Sequence, residues 1–362
     1  MNVHIADFVL VRPRFKFTQE VGIEWLLKAH AFAEQKARPQ NVSGSFQEKL
    51  KRVVEKVACK KQHISMRGYS VEDITHEDWQ QMPFFGEKAA PHGVGFKERS
   101  TFFEEESFSV FERLYKGQEA PVDLIHVTCT GYAAPSAAQK LVARNGWSTR
   151  VAHAYHMGCC ASVPALRMGK GFVLSGSRHV DIVHTEICSL HFNPAIHTVE
   201  QILAHSLFAD GFIKYSLRPE PRGFELLATD EAILSNTESE MSWKCEDWGL
   251  RMTLSKEIPR SIENAIFSFV EKLTSNWKGA LFAIHPGGPK IIDAIQKKLG
   301  LSDEQVAHSK AVLHAYGNMS SATLPHIWEL MLPEIEIGQK VVSLAFGPGL
   351  TIVGAVLQKV SS

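Results

Sequence analysis

Three short segments of the chain place reactive side chains among small residues at turns. They are Met157-Gly158-Cys159-Cys160-Ala161-Ser162, Ile284-His285-Pro286-Gly287-Gly288-Pro289 and Tyr316-Gly317-Asn318-Met319-Ser320-Ser321. In the first segment we expect a strand to end at Gly158 and a helix to begin at the cysteine pair. The free N–H groups of a helix's first turn favour an anion, so this position is expected to lower the pKa of a thiol and create a nucleophile. A histidine and an asparagine far along the chain can converge on such a thiol and donate hydrogen bonds to its substrate.

Each segment also has an ordinary structural explanation when it is taken alone. A single cysteine in an apolar stretch is more often a packed core thiol, and His-Pro-Gly-Gly is usually a turn. All three occur at junctions beside apolar strands or helices, and this coincidence favours a chemical role.

A metal site is a second interpretation of the first segment, because His153 and His156 precede the cysteine pair. Two histidines three residues apart on a strand face opposite sides, however. The sequence also lacks a second ligand pair at zinc-finger spacing. The pattern therefore predicts no metal.

The elements that must position these residues alternate in type. Apolar runs at 123–128, 150–157 and 180–186 are separated by helical patterns at 136–145 and 159–174, an order βαβαβ that predicts helices on a largely parallel sheet. A strand at 280–284 and a helix at 289–299 repeat the strand, glycine-proline turn and helix, which suggests two related halves. Other expected elements are helices at 23–35, 46–61, 103–116 and 321–332, two strands across 340–357, and an irregular stretch at 68–99.

Composition narrows the class of protein. The chain has 362 residues, 39 Lys plus Arg and 39 Asp plus Glu, so its zero formal charge gives no field for holding polyanions such as nucleic acid. No apolar run approaches the roughly 20 residues that cross a bilayer, and the first 20 residues do not resemble a signal peptide. The 6 cysteines are sparse and show no CxxC spacing, which predicts reduced thiols in a cytosolic protein.

The three segments resemble those of the type III polyketide synthases, relatives of plant chalcone synthase with the thiolase fold. Two further segments match, Phe346-Gly347-Pro348-Gly349-Leu350-Thr351 and Leu207-Phe208-Ala209-Asp210-Gly211, the latter similar to the family's LFGDG. The resemblance implies an α/β thiolase fold, with two related βαβαβ halves at 1–225 and 226–362 in a layered α-β-α-β-α core. It places Cys159 at the family nucleophile, directly after the glycine, and His285 and Asn318 at its catalytic partners.

The resemblance also implies a substrate cavity. Phe208 falls at a gatekeeping phenylalanine, Met252 at a second one, and Trp243 where plant enzymes have a cavity-floor glycine. Further cavity positions implied by the family are His191, Cys129, Glu186 and Ser320. An indole in place of a glycine side chain leaves less room in a packed pocket, so we expect few extension steps and a short product such as an α-pyrone.

Substrates and partners are likewise implied by the family. Lys49, Arg52 and Lys56 form one stripe on a helix and match the positions that bind coenzyme A phosphates. Acyl thioesters, malonyl-CoA among them, are the expected substrates, delivered by coenzyme A or by an acyl carrier protein, with no further cofactor. The family forms homodimers in which a methionine before a proline enters the neighbour's cavity, and here Ala134 stands at that place.

Two alternatives share parts of the pattern. The ketoacyl carrier-protein synthase III group has the same fold and the same Cys, His and Asn set, but its histidine segment typically reads HQAN, whereas this chain has His285-Pro286-Gly287-Gly288. A non-catalytic thiolase-fold scaffold that binds acyl thioesters is the alternative from another class, and the presence of all three polar groups argues against it.

Overall fold

The structure is a computed structural model that describes residues 2–41 and 44–361. Within these residues the α-helices are α1 Gln19–Ala37, α2 Gly44–Val57, α3 Phe96–Leu114, α4 Ala137–Asn145, α5 Ser162–Leu174, α6 Val199–Leu207, α7 Ile258–Leu273, α8 Pro289–Leu299, α9 Asp303–Tyr316 and α10 Thr323–Glu334. The strands are β1 His4–Val11, β2 Phe15–Thr18, β3 Met66–Tyr69, β4 Asp123–Thr128, β5 Arg150–Tyr155, β6 Val180–Glu186, β7 Gly211–Arg218, β8 Phe224–Ile233, β9 Met241–Glu246, β10 Gly249–Leu254, β11 Leu281–Ile284, β12 Lys340–Gly347 and β13 Thr351–Lys359.

Nine of these strands form one sheet in the order β11-β12-β13-β8-β1-β7-β6-β4-β5. Three neighbouring pairs are parallel, namely β4 with β5, β4 with β6, and β11 with β12. The other pairs are antiparallel. The expectation of a largely parallel sheet is therefore wrong. Antiparallel pairings, in hairpins and between distant strands, join the parallel units. The sequence pattern of β7, β8 and β13 did not reveal these pairings.

The sheet contains the same strand arrangement twice. From β4 through β6 and β7 to β1 the pairings run parallel, antiparallel, antiparallel, and from β11 through β12 and β13 to β8 they run the same way. The two sets meet where β1 pairs with β8. This topology agrees with two related halves. The boundary predicted at 225/226 falls at the start of β8.

Buried side chains form three clusters that define the layers. One cluster surrounds the central helices α5 and α10, with Leu166 and Trp328 among its members. A second lies under α7 and α8, and a third under α1, α3 and α4. Helices thus cover both outer faces and fill the centre, the layered arrangement that the resemblance implied.

Several elements differ at their ends from the sequence expectation. The helix expected from Cys159 begins at Ser162, and the one expected at 46–61 spans Gly44–Val57. Part of the irregular stretch forms β3, which pairs with β2. No helix in residues 2–41 and 44–361 is both long and apolar enough to cross a membrane.

Candidate active site

The turn between β5 and α5 carries the cysteine pair. Gly158 has φ 71°, a left-handed conformation that favours glycine, and His156 just before it has φ 59°. A Cβ on Gly158 would lie 2.5 Å from Cδ of Pro348. Glycine is therefore required both by the backbone conformation and by the close approach of the 348 turn.

The two thiols of this turn lie in different surroundings. Cys160 Sγ donates to the carbonyl of Met157 at 3.1 Å and packs directly against Gly347. Cys159 Sγ instead lies 3.6 Å from Oγ of Ser320, in the segment that holds Asn318. The structure thus directs Cys159, and not Cys160, toward the other predicted catalytic residues.

The thiol of Cys159 does not have the lowered pKa that its position suggested. Cys159 lies in a 3-10 turn that precedes the helix and is 4% exposed. Burial is the largest influence on this thiol and raises its pKa to about 12. The buried carboxyl of Glu186 acts in the same direction. Loss of hydration outweighs the favourable helix dipole here, so the thiol is neutral in the free protein.

His285 immediately follows β11, whose last residue pairs with β12 in parallel. Its backbone N–H donates to Leu344 at 2.8 Å, which holds the turn against the neighbouring strand. The side chain is 1% exposed, and neither ring nitrogen has a hydrogen-bond partner among the described residues. Burial lowers the pKa of His285 to about 3, so the imidazole is neutral and keeps one donor and one acceptor nitrogen free.

Asn318 lies in the turn after α9 and is 1% exposed. The backbone N–H of Ser320 donates to its Oδ1 at 2.9 Å, which orients the amide and leaves the NH₂ group as a donor. Ser320 has φ 51°, an uncommon conformation for a residue with a side chain. Such strain is typical of a functional turn.

Leu207 lies between the histidine and asparagine turns. Its carbonyl accepts the backbone N–H of Asn318 at 3.0 Å, and its side chain lies 3.9 Å from the Cβ position of Gly288. Ser320 connects Asn318 to Cys159, whereas no hydrogen bond joins Cys159 to His285 within residues 2–41 and 44–361. The fold brings the three turns to one region and leaves the histidine ring open.

A buried polar cluster extends behind Cys159. Cys129 Sγ lies 2.8 Å from Ser320 Oγ and donates to Glu186 at 3.2 Å. Thr130 and Ser321 also donate to this carboxyl. Three predicted cavity residues, Cys129, Glu186 and Ser320, therefore share one hydrogen-bond network with Cys159.

The other four predicted cavity residues line a separate pocket with about 760 Å³ of empty space, including its mouth. Trp243 and Met252 face each other across the β9–β10 hairpin, and the rings of Trp243 and His191 are 6.0 Å apart. Phe208 lies at the end of α6 and pairs with Asn318 through backbone hydrogen bonds around Ala209. Trp243 is thus partly buried in the pocket wall, beside His191 and opposite Met252.

Several further residues line this pocket, and the sequence analysis did not find them. They come from α1, β3, the loop after β3 and α6, and include Gly22, Trp25, Arg67, Tyr69, Phe85 and His205. No motif marks them, because each is a single residue on an element whose sequence gives no sign of the pocket. The one local hint of the pocket in the sequence is that Arg67 directly precedes Gly68 in a polar segment.

The basic stripe is present as expected. Lys49, Arg52 and Lys56 are exposed on α2, while Leu50 and Val54 of the same helix are buried. The pairing of Arg52 with Glu48 at 3.6 Å leaves the stripe in solvent. Within the described ranges, no group of three or more His, Cys, Asp or Glu side chains is arranged to hold a metal ion, and His153 instead bonds to Ser136 at 2.9 Å.

Residues 225–361 match the family model of chalcone and stilbene synthases, C-terminal domain. A curated relative, "Probable polyketide synthase 1" of Dictyostelium discoideum, is 32% identical over 255 residues, which cover 66% of this chain and 8% of that protein. The chain therefore spans about a twelfth of that relative's length.

Solved structures share the whole fold. The C-terminal type III polyketide synthase domain of Steely1 from Dictyostelium aligns over 100% of both chains with a TM-score of 0.84 and 24% identity. PKS-I from the brown alga Ectocarpus siliculosus covers 99% of this chain and 98% of its own, with a TM-score of 0.82 and 23% identity. Tetrahydroxynaphthalene synthase from Streptomyces coelicolor covers 99% of both, with a TM-score of 0.80 and 22% identity. The chain has the α/β fold of these solved structures, and the match of residues 225–361 to the chalcone and stilbene synthase model agrees with the resemblance to type III polyketide synthases.

Proposed function

We propose that this chain catalyses decarboxylative condensation of malonyl thioester units onto an acyl starter held on Cys159. The observation that carries the proposal is the arrangement of three buried groups: Cys159 joined through Ser320 to Asn318, and His285 with both ring nitrogens free. A thiol, a neutral imidazole and an oriented amide are the groups that thioester exchange and enolate stabilisation require.

The loading step uses the neutral histidine as a base. His285 accepts the thiol proton, Cys159 sulfur attacks the acyl carbonyl, and the departing coenzyme A or carrier thiolate takes the proton back. The raised pKa of Cys159 makes this transfer necessary, because the free thiol is not ionised at neutral pH.

The condensation step uses His285 and the Asn318 amide as hydrogen-bond donors. Loss of carbon dioxide from the malonyl thioester leaves an enolate, whose oxygen accepts hydrogen bonds from His285 and from the Asn318 amide. The enolate carbon then attacks the acyl carbonyl on Cys159 and expels the cysteine sulfur, so the chain grows by two carbons. Burial of both donors strengthens these bonds, because little water competes for them.

The pocket supports a short product. Trp243 stands beside His191 and opposite Met252, so an indole fills space at the place where the family's plant members have a glycine. We propose few extensions, two in number, and release as an α-pyrone or a similar small lactone.

We also propose how substrate reaches the site. The exposed stripe of Lys49, Arg52 and Lys56 binds the phosphates of coenzyme A, with an acyl carrier protein as the alternative donor. We further propose that the protein acts as a homodimer with no added cofactor. Its sparse cysteines, without CxxC spacing, support a cytosolic location. Sedimentation at micromolar protein should show the dimer, and a monomer alone would contradict it.

The experiment that tests the function is intact-protein mass spectrometry with a panel of acyl-CoAs, followed by malonyl-CoA and measurement of released carbon dioxide. An acyl adduct on Cys159 and carbon dioxide release are expected, and Cys159→Ala should show no adduct. Binding of acyl-CoA without an adduct or carbon dioxide would identify a non-catalytic scaffold instead.

A further inference from the structure

Arg67 is a buried cation without a carboxylate partner. It lies on β3, is 2% exposed, and lines the pocket. Within residues 2–41 and 44–361 it makes no ion pair with any Asp or Glu. A buried charge is costly unless it is paired, so an isolated guanidinium at a cavity wall needs an explanation.

Most of its N–H groups hold neutral partners. Nε donates to Oε1 of Gln19 at 2.7 Å, and Nη1 donates to the carbonyls of His205 at 2.7 Å and Phe208 at 3.0 Å. Its carbon stem packs against Gly317, whose Cβ position is 3.0 Å from Arg67 Cγ. The guanidinium is therefore fixed in place beside the gate residue Phe208.

The second terminal nitrogen, Nη2, is left over. It makes no hydrogen bond to any residue that the structure describes, and it lies beside Gly22 on α1. A Cβ on Gly22 would be 2.9 Å from Nη2 and 3.2 Å from the hydroxyl of Tyr69. Because residue 22 has no side chain, Nη2 and the Tyr69 hydroxyl lie close over its backbone and form one corner of the pocket wall, which all three residues line.

The carboxylates near the pocket already accept hydrogen bonds from groups other than Arg67. Asp73, which also lines the pocket, accepts the backbone N–H groups of Phe84 and Phe85. Asp210, near Tyr69, accepts from Ser70 and Ser189. Neither approaches Arg67 within ion-pair distance, and the other walls are mainly aromatic and aliphatic.

From this juxtaposition we infer that Arg67 Nη2 and the Tyr69 hydroxyl, in the corner opened by Gly22, bind a negatively charged oxygen of the acyl group. Two sources share this chemistry: a carboxylate at the far end of the starter, and an enolate of the growing diketone chain. The inference deepens the proposed function and rests on it for the choice of ligand. Arg67 is a specificity-determining residue in this account.

The first test is binding alone, by calorimetry of the full chain with glutarate and with its neutral diamide. Wild-type protein should bind glutarate at least 10-fold more tightly than the diamide, and Arg67→Met should remove that preference. Equal binding of the two probes by wild type, or an unchanged preference in Arg67→Met, would overturn the inference.

A second variant guards against misfolding, because Arg67→Met also breaks three structural hydrogen bonds. Gly22→Ala keeps the arginine and places a Cβ 2.9 Å from Nη2, so this nitrogen must shift out of the corner. The variant should lose the glutarate preference while it still unfolds cooperatively on heating. Gly171→Ala is the matched control: this glycine is also within a helix, and its Cβ position has nothing within 4 Å. Gly22→Ala behaving like Gly171→Ala in glutarate binding would contradict the corner.

Kinetics then separate the two oxygen sources. Loading of Cys159 by glutaryl-CoA relative to butyryl-CoA should fall about 10-fold in Arg67→Met if the terminal carboxylate is bound. Equal loading with a similar loss of the second extension identifies the enolate. An Arg67-dependent glutarate preference in a wild-type protein that makes no condensation product would refute the proposed function and leave the anion site standing.

Discussion

The buried polar cluster around Cys159 and the pocket beside it are built in opposite ways. In the cluster, Cys159, Cys129 and Ser320 are linked by hydrogen bonds to buried partners and are at most 4% exposed. In the pocket, aromatic walls surround an open space, and Arg67 Nη2 has no hydrogen-bond partner among the residues that the structure describes. The difference suggests a division of labour in which the cluster determines rate and the pocket determines which substrate and product are handled.

The largest expected effect is at the nucleophile. Cys159→Ala should abolish condensation because, of the paired thiols, Cys159 faces Ser320, and the nearby Cys129 thiol donates to Glu186. Cys160→Ala should retain most activity because its thiol packs against Gly347. Product formation from an acyl-CoA and malonyl-CoA is the measurement. Retained activity in Cys159→Ala with loss in Cys160→Ala would reverse the assignment.

The next largest effects are expected at the two proposed oxyanion donors, His285 and Asn318. His285→Ala and Asn318→Ala should each slow malonyl decarboxylation by on the order of 100-fold or more, the scale of losing one oxyanion donor. Carbon dioxide release measures this directly. Unchanged release in both variants would remove the donors from the mechanism and break the contrast between cluster and pocket.

Acid should destabilise both regions. Burial lowers the pKa of six histidines to about 3: His30, His126, His184, His191, His285 and His326. Unfolded histidine has a pKa of about 6.5, so between these values the unfolded state binds more protons and stability falls as pH falls. Each such proton is worth about 1.4 kcal/mol per pH unit.

Buried carboxyls oppose this trend, because burial raises the pKa of Asp73 and Asp210 to about 6 and also raises that of Glu106, Glu186 and Glu329. The histidines with a lowered pKa outnumber these carboxyls, so we expect a net loss of stability as the pH falls below about 6.5. Urea unfolding from pH 7 to pH 4.5 should show it, and His326→Asn should flatten the slope. A free energy of unfolding that stays constant over this range would show that the histidines are hydrated.

In the pocket, product length should change more than rate. Trp243→Gly, assayed with one starter, should yield longer polyketides because the indole beside His191 and Met252 is gone. Chromatography with mass detection gives the product ladder. An unchanged set of product lengths in the variant would show that Trp243 does not form the end wall of the cavity.

The smallest effect is expected on the surface. Arg52→Glu should raise KM for acyl-CoA several-fold and change kcat little, since the phosphate contact is the same in the ground and transition states. Steady-state kinetics at two salt concentrations measure it, with Lys51→Glu, outside the stripe, as a matched control. An equal KM increase in both variants would show general repulsion and no defined phosphate site.

The sequence marks the three turns that hold Cys159, His285 and Asn318 more clearly than it marks the pocket, for physical reasons. Cys159, His285 and Asn318 each lie in a strand or helix junction with glycine, and such local patterns are visible in a single sequence. The direction of the Cys159 pKa shift was missed, because burial depends on what packs around the turn. Arg67 and Trp25 meet across a space bounded by distant elements, so nothing near either residue in the sequence marks the pocket.

The antiparallel strands were hard to foresee for a related reason. β1 pairs with β7 and β8, whose residues lie about two hundred positions further along. Such pairing leaves no local signal beyond a short apolar run.

That position of β1 also bears on how the chain acquires its structure during synthesis. β1 lies in the middle of the finished sheet, and both of its edges stay unpaired until β7 and β8, far later in the chain, have emerged from the ribosome. Long-range pairing of this kind slows folding and exposes strand edges to aggregation in the meantime. Cutting the chain at 225 would separate β1 from most of β8, so the two halves are related in pattern and yet interdependent in folding.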